Sequence, residues 1–454
     1  MDAPLESLIA QLPEKTVITD PVSMEPYRYD WAHDETAGMP LAVVRPTDAD
    51  QVQTTMRWAS EHRVPVVPRG AGSGLSGGST AVEQGLVLSL DRMRSVEVDP
   101  NLRIAVVEPG ALNVEVKRAA AEHGLWYPPD PSSYEMCSIG GNLATNAGGL
   151  CCVKYGVTTD YVLALDVVLA DGTKLQLGGP RLKDVAGLSL IKLFVGSEGL
   201  LGVITRGILR LIPAQPSRST LVAIYDDVET AARSVVEMCR NIRPSMVELM
   251  DNASINAVED YRAMGLDRSA GAMLIIQSDA PGESCSREIS VLQQICDTVG
   301  ARETFVTDDP EEGEMFAEGR RVAFHAIEKR GSIMLEDVGA PLPVLPELIT
   351  GIAAIAARHR VEIPTVAHAG DGNTHPIVVY DASDPDSTER AARAFAEVMS
   401  LAISLGGTIT GEHGVGRLKK AALPDQLGPE VMEVSRRIKA ALDPQGILNP
   451  GAVL

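Results

Sequence analysis

Three of the chain's eight histidines lie in two short glycine-flanked stretches, HAGDGNTH at 368–375 and GEHG at 411–414. His368 and His375 are seven residues apart, so on one straight strand their side chains would leave opposite faces. The AGDGNT between them is a turn signal, and a chain that folds back there lets both imidazoles converge. Glu412 adds a carboxylate. Two imidazoles and a carboxylate, with open positions left, form a ligand set for a catalytic divalent metal, and zinc and manganese both accept it. Two core histidines and a surface glutamate would spell the same letters. His413 leaves the backbone in a different direction from Glu412, and an imidazole with an unperturbed pKa of ~6.5 suits general-base work at neutral pH. The stretch EGRRVAFHA adds Arg320 and Arg321. On a helix they point about 100° apart, so one of them can face a site and offer its fork to a carboxylate. Two solvated helix arginines are the other reading.

A second chemistry is written in glycines. Residues 68–80 read PRGAGSGLSGGST. Gly72, Gly74 and Gly77 match GxGxxG, but no helix follows, as a Rossmann site requires, and no Lys-Ser/Thr pair makes a Walker loop. The stretch is still a nest: Gly70, Ala71, Gly72, Ser73, Gly74, Ser76, Gly77 and Gly78 expose successive amides to a pyrophosphate-like anion. Arg69 and the hydroxyls of Ser73, Ser76 and Ser79 can add donors. Taken alone, it also reads as a glycine-rich surface loop. Residues 128–149, PPDPSSYEMCSIGGNLATNAGG, bring hydroxyls, amides and glycine pairs that let backbone lie flat against a planar ligand. GSEGLLGVIT at 196–205 repeats the pattern. Three such stretches within one domain point to a long cofactor lying across it.

The elements that must hold these groups alternate in the first half. Asp48–His62 repeats apolar residues at helical spacing, VPVVPRG is a short strand entering the glycine loop, and LVLSLD and RIAVVEPG are strands. Ala111–His123 is a helix ended by Gly124. YVLALDVVLADGTKLQL is a hairpin turning at Asp171-Gly172. After about Pro213 glycine clusters vanish, strands such as Met273–Gln277 alternate with helices such as Leu345–His359, and glycine motifs return only at 368–376 and 411–416. Domains are therefore expected at 1–213 and 214–420, with a return segment at 421–454. Length and composition agree: 454 residues, 45% hydrophobic, are enough for two large cores. The net charge of -21 excludes a nucleic-acid footprint, so an anionic ligand must be met by local dipoles and a few placed cations. No apolar run reaches membrane-span length, no basic n-region opens the chain, and the six cysteines form no CxxC; a cytoplasmic protein with reduced thiols is expected.

The motifs PRGAGSGLSGG, PDPSS, SIGGNLATNAGG, KYGVTTDYVLALDVVLADG, GSEGLLGVIT, HAGDGNTHP, GEHGVGR and NPG stand in the order typical of one family. From about residue 40 to 454 the chain resembles the FAD-linked D-2-hydroxy-acid dehydrogenases of the vanillyl-alcohol-oxidase-like flavoproteins. Within them it is most similar to the branch of bacterial glycolate oxidase flavin subunits and D-lactate dehydrogenases. The resemblance implies an α+β fold: a two-subdomain FAD-binding domain plus a ferredoxin-like α+β substrate (cap) domain. It implies that the glycine loop holds the FAD pyrophosphate. Pro131, Ser132, Ser133, Ser138, Ile139, Gly140, Gly141, Asn142, Thr145, Gly148 and Gly149 would line the flavin, with Gly202, Val203, Ile204 and Asn449 completing the cofactor site. Some relatives tether the flavin to a histidine in the glycine loop; residues 68–80 hold no His or Cys, so the FAD is expected to be non-covalent.

The resemblance also implies the chemistry. A divalent metal, zinc or manganese, sits on His368, His375 and Glu412. Arg320, matching the family pattern, takes the substrate carboxylate. His413 takes the proton of a 2-hydroxyl while hydride passes to the flavin, yielding a 2-oxo acid. Two departures bear on the substrate. The 2-hydroxyglutarate branch carries a Lys where this chain has Leu335, and many relatives have a basic or hydroxyl residue where it has Leu342-Pro343. Fewer cations point to a small monocarboxylate, glycolate or D-lactate, over D-2-hydroxyglutarate. A flavin-binding scaffold subunit of an electron-transfer complex is the rival from another class. The electron acceptor, a quinone, a cytochrome or a partner iron–sulfur subunit, is left open, and no cluster-binding cysteine pattern occurs here. A homodimer and peripheral attachment to the inner membrane face through a partner are compatible expectations.

Overall fold

The glycine and histidine stretches are organised by two units, each built from interrupted segments. The computed structural model describes residues 3–454. One unit holds the chain up to Gly148, Val157–Ala214 and Glu412–Leu454; the other holds Gly149–Gly156 and Gln215–Gly411. No helix among the described residues is long and apolar enough to cross a membrane.

The first unit carries two sheets and two cores. A four-stranded sheet runs Val17–Ile18, Ala42–Val44, Leu86–Ser89, Val66–Arg69 in spatial order, with the last three strands parallel. Its covering helix, Ala49–His62, begins where Asp48 accepts the amides of Asp50 and Gln51, so the expected start residue is the cap. That helix buries Val52, Met56 and Ala59 against Val44, Val66 and Leu88. The second sheet is antiparallel, in the order Val96–Asp99, Ile104–Val107, Val203–Arg210, Val162–Val168, Lys174–Gly178. The hairpin at Asp171-Gly172 forms, with Gly172 at φ +81°, a conformation open to glycine at no steric cost. Val107, Tyr127, Ile139, Leu143, Leu165 and Phe194 close the second core. This is the two-subdomain arrangement expected of the FAD-binding domain.

The second unit is one antiparallel sheet. Its strands Glu303–Thr307, Ser219–Tyr225, Ala272–Ser278 and Met246–Asp251 lie side by side in that order. In chain order that is 4-1-3-2, with helices Val228–Asn241 and Glu283–Val299 on one face, a ferredoxin-like arrangement. The hairpin Thr365–His368/Asn373–Tyr380 and the strand Ser332–Leu335 extend it past Met246–Asp251. Along Met246–Asp251, Val247 and Leu249 point to the face of those helices. Met246 and Met250 point to the other face, covered by Asn252–Tyr261 and Pro310–Glu328. Glu248, by the two-residue alternation of a strand, joins that second face.

The chain crosses between units at Ala214/Gln215 and Gly411/Glu412, nine residues before the expected 420/421 crossing, and Gly149–Gly156 leaves the first unit for the second. Side-chain anchors that composition does not register hold the segments at these crossings. Buried Asp279 accepts hydrogen bonds from Lys154, Tyr155 and, at 2.8 Å, Gln215. Burial alone would raise the Asp279 carboxyl, but these donors outweigh it and hold it below the usual range. The anchor at 412 is Glu198, described next.

Candidate active site

In the first unit the glycine loop leaves the strand Val66–Arg69 and turns through Gly72 and Gly77, at φ +75° and +76°. Among the described residues, the amides of residues 72–78 donate to no protein acceptor, whereas Ala71 donates to Ser138 Oγ at 3.1 Å and Ser79 to Asp30 at 3.4 Å. A row of unpartnered amides in a glycine turn is an anion cradle, and it fits a pyrophosphate. Arg69 is beneath the loop. Its guanidinium reaches Ser79 O and Oγ at 3.5 Å and Pro26 O at 3.4 Å, and lies over the Tyr27 ring. Burial pulls its pKa below the ordinary range. A Cβ at Gly72 would fall 2.0 Å from Arg69 Nη2, so the arginine shapes the loop from below.

Ser138 caps the helix Ile139–Thr145 and accepts both Gly141 N, at 3.3 Å, and Ala71 N, which fastens the second glycine stretch to the first. Asn142 turns inward, its Oδ1 accepting Asn113 Nδ2 at 3.0 Å, and Thr145 Oγ1 donates to Gly141 O at 3.2 Å. Pro131 is buried, Ser132 exposed and Ser133 half-buried. The side chains of Val203 and Ile204 lie in the two cores of the unit, so a cofactor contact from them, or from Gly202, is a backbone contact. Asn449 Nδ2 donates to Gly78 O and Glu198 O, both at 2.8 Å, while its Oδ1 is buried without a partner. An orphaned acceptor beside the amide row also fits a hydroxyl-rich cofactor.

The segment carrying Glu412 and His413 is laid over the same loop. Ser76 Oγ donates to His413 O at 3.1 Å, and Arg417 N donates to Ser76 O at 2.9 Å. Glu198 accepts the amides of Val415 and Gly416, each at 2.8 Å. Burial pushes the Glu198 carboxyl up, against those two amides. Sequence reasoning passes over Glu198. The available signal is an acid within a glycine cluster read as an anion site, where its charge has no use unless another loop takes it. The His413 imidazole is largely buried, with Nε2 3.7 Å from Glu412 Oε1.

In the second unit the structure brings His368, His375 and Arg320 to one face of the sheet. The chain folds back after His368 through a short 3-10 turn at Ala369–Asp371, with His368 opposite Asn373 and Val366 opposite His375. His368 and His375 are therefore diagonal neighbours on one face, ring centroids 4.9 Å apart at 84°. Glu248 sits directly opposite His368 and accepts its Nδ1 at 2.8 Å. Arg320, on Pro310–Glu328, is buried with Nε 2.8 Å from the other Glu248 oxygen. The contact is an ion pair, since neither Arg320 Nε nor that Glu248 oxygen makes a hydrogen bond. Arg321 instead pairs with Glu314 on the helix surface. Asp337, fully buried, lies 3.7 Å from His375 Nδ1 and accepts Thr410 Oγ1 at 2.7 Å and Gly411 N at 2.9 Å. The residue before Glu412 is thus held beside His375. Two imidazoles, one held by a carboxylate at hydrogen-bond distance and the other with a carboxylate 3.7 Å away, are donors that could hold a divalent ion. Glu248 and Asp337 are functional candidates that sequence reasoning does not assign. An acid in the middle of the apolar run MVELM was the available signal for Glu248.

Comparison with known proteins agrees with this architecture. Residues 214–453 match the family model "FAD linked oxidases, C-terminal domain", and residues 40–178 match "FAD binding domain". The glycolate oxidase subunit GlcD of Bacillus subtilis is 42% identical over 428 residues, covering 94% of this chain and 91% of the relative. The GlcD subunit of Escherichia coli K12 is 39% identical, covering 91% and 83%. D-lactate dehydrogenase of Archaeoglobus fulgidus is 34% identical, covering 91% of each. Among solved structures, p-cresol methylhydroxylase with substrate bound superposes at TM-score 0.83, 18% identity, covering 99% of this chain and 96% of the other. The 4-ethylphenol oxidase of Gulosibacter chungangensis does so at 0.82 with the same identity and coverage. The last two speak for the fold alone. With a family match over more than half its length and relatives above 30% identity across nine-tenths of it, the chain belongs to the FAD-linked oxidase family and is an oxidoreductase with an FAD-binding domain.

Proposed function

We propose that the chain oxidises a small D-2-hydroxy acid, glycolate or D-lactate, to the corresponding 2-oxo acid. The observation that carries this reading is the buried Arg320 on the same sheet face as the two converging imidazoles of His368 and His375. That combination suits a ligand with a carboxylate and a neighbouring hydroxyl. The relatives named glycolate oxidase subunit GlcD and D-lactate dehydrogenase support the same substrate class. Leu335, opposite Ile377 in the sheet, offers no charge to a second carboxylate and supports a monocarboxylate over 2-hydroxyglutarate.

His368, His375 and Glu412 are the residues that would hold a divalent ion, zinc or manganese. When bound, FAD supplies an acceptor for the C2 hydride and the ion supplies a Lewis acid that makes the hydroxyl more acidic. Arg320 receives the carboxylate on its terminal nitrogens and fixes which face of the substrate is presented. His413 takes the 2-hydroxyl proton on its imidazole. The segment that carries it rests on Ser76 of the glycine loop, which supports a role beside the cofactor. Non-covalent FAD suits a loop without His or Cys. The electrons then leave to a quinone, a cytochrome or an iron–sulfur partner, and the subunit names of the relatives support a partner.

The test is an anaerobic screen of glycolate, D-lactate, L-lactate and D-2-hydroxyglutarate, following loss of flavin absorbance. Rapid bleaching by glycolate or D-lactate, abolished by a chelator and restored by zinc or manganese, is expected. No bleaching by any of the four would remove the substrate reading. Full activity in metal-free protein would leave the histidine pair a structural feature.

A further inference from the structure

Glu248 is the one member of its strand whose side chain is ionisable, fully buried and shared between two groups assigned to different tasks. The strand Met246–Asp251 is otherwise Met, Val and Leu until its terminal Asp251. Glu248 is 0% exposed. One carboxylate oxygen meets His368 Nδ1 at 2.8 Å and the other meets Arg320 Nε at 2.8 Å. The first contact follows from register, because Glu248 and His368 are directly opposite in the antiparallel pair. The second follows from packing, because Pro310–Glu328 covers that same face through Ala317, Ala323 and Ile327. We infer that Glu248 is a positioning residue that joins metal ligation to substrate binding, holding His368 with one oxygen and Arg320 with the other. The inference rests on the reading above, in which His368 ligates a divalent ion and Arg320 takes the substrate carboxylate.

The physical argument has two halves. A carboxylate on Nδ1 makes that nitrogen the protonated one, so ligation would come from Nε2 with the ring orientation fixed and its basicity raised. On the other side, an arginine held through Nε keeps its planar fork in one orientation, so the two terminal nitrogens present together to a carboxylate. The guanidinium beside it offsets the cost of burying the Glu248 charge. Each arm therefore depends on the other: removing the charge of Glu248 weakens the hold on His368 and leaves Arg320 to find another orientation. A purely structural ion pair would lower stability without changing either affinity in the folded protein.

The test uses the full-length FAD-bound protein and two substitutions. Glu248→Gln removes the charge at constant shape. Glu248→Asp keeps the charge but is one methylene too short to reach both partners. Zinc affinity is read by competition with a chromophoric chelator, without turnover. Pyruvate affinity is read from the flavin spectrum of chelator-treated protein, so the arginine arm is measured without the ion. In folded Glu248→Gln the zinc dissociation constant should rise roughly 10- to 100-fold. The pyruvate dissociation constant should rise about tenfold as the guanidinium loses its buried ion-pair partner. In Glu248→Asp at least one of the two should rise, and this variant decides the matter if Glu248→Gln does not fold. In metal-free wild type, nitrogen-15 spectra of the histidine rings should show His368 protonated at Nδ1. Wild-type values of both constants in the folded variants, or a His368 ring protonated at Nε2, overturn the inference alone. A wild-type protein that takes up neither zinc nor manganese overturns the metal reading, and this inference with it.

Discussion

Glu198 and Gly416 meet at 2.8 Å, carboxylate to amide, and this contact fastens the segment bearing His413 to the domain that carries the glycine loop. Gly416 stands at φ +51°, and a Cβ there would lie 2.1 Å from Ser76 O, so the segment can approach the loop only as glycine. Glu198→Ala leaves two amides without an acceptor, at a cost of about 1–3 kcal/mol each. The expected outcome is a melting temperature several degrees lower and FAD lost on gel filtration. Glu198→Ala protein that keeps its flavin and its melting temperature would show that the 412–418 segment is held by other contacts.

Gly72 and Gly141 separate folding from cofactor binding. Gly72→Ala combines a left-handed backbone at φ +75° with a Cβ 2.0 Å from the Arg69 guanidinium, so both stability and FAD content should fall. Gly141, inside the helix Ile139–Thr145, meets nothing nearer than Ser138 Oγ at 3.3 Å. Gly141→Ala should leave the apoprotein as stable as wild type, since alanine is the better helix former. Its FAD dissociation constant should nevertheless rise if the flavin lies flat on this stretch. Titration of the two apoproteins with FAD, with thermal melts in parallel, decides it.

The two neighbouring arginines should behave oppositely. Arg321 pairs with Glu314 on a helix surface, so Arg321→Ala is expected within about 0.5 kcal/mol of wild-type stability, with KM unchanged. Arg320→Ala strands a buried Glu248 and should cost about 3–5 kcal/mol in addition to raising KM. Arg320→Lys keeps the charge but loses the planar fork, so it should raise KM with a smaller loss of stability. A larger KM effect at Arg321 than at Arg320 would move the carboxylate site to the other side of the helix.

His413→Ala and Glu412→Ala should also part company. The first is expected to slow single-turnover flavin reduction by ~10²–10⁴-fold, the range for loss of a general base, with bound metal retained. The second should lose metal on desalting, measured by elemental analysis. Metal lost from His413→Ala and kept in Glu412→Ala would exchange the two roles.

Asp251 gives stability a pH dependence of defined sign. Its carboxylate caps the helix Asn252–Tyr261 by accepting Ser254 N at 2.8 Å and also accepts Thr365 N at 2.9 Å. Burial nevertheless pushes its pKa up to about 6. The folded carboxyl therefore keeps its proton where the unfolded one, with a pKa of ~3.9, has lost it. Between those values the folded state binds more protons, so the Asp251 contribution to stability falls as pH rises through about 4 to 6, by about 3 kcal/mol in all. Asp251→Asn cannot titrate and also turns an amide toward Thr365 N. Urea unfolding at pH 4, 5, 6 and 7 should show the variant least stable relative to wild type at pH 4, with the gap narrowing as pH rises. A gap that is constant or widens would contradict the assignment.

What the sequence by itself determined is local. The nest at 70–78, the hairpin at Asp171-Gly172, the cap at Asp48 and the fold-back between His368 and His375 all follow from residues within a few positions of one another. Backbone conformation and hydrogen bonding act at that range, and glycine or an Asp cap leaves its mark in the letters. The ordered motifs likewise identified the family and its α+β architecture. What only the tertiary structure decided is the partner of each buried charge. Glu248 reads as one acid in an apolar strand until the sheet register sets it against His368 and helix packing sets it against Arg320. Glu198 reads as a loop acid until it takes the amides of Val415 and Gly416. Asp279 does the same for Lys154 and Tyr155. A buried ion is stable only with a specific partner at hydrogen-bond distance, and that partner is chosen by the packing of distant segments, which no local pattern encodes.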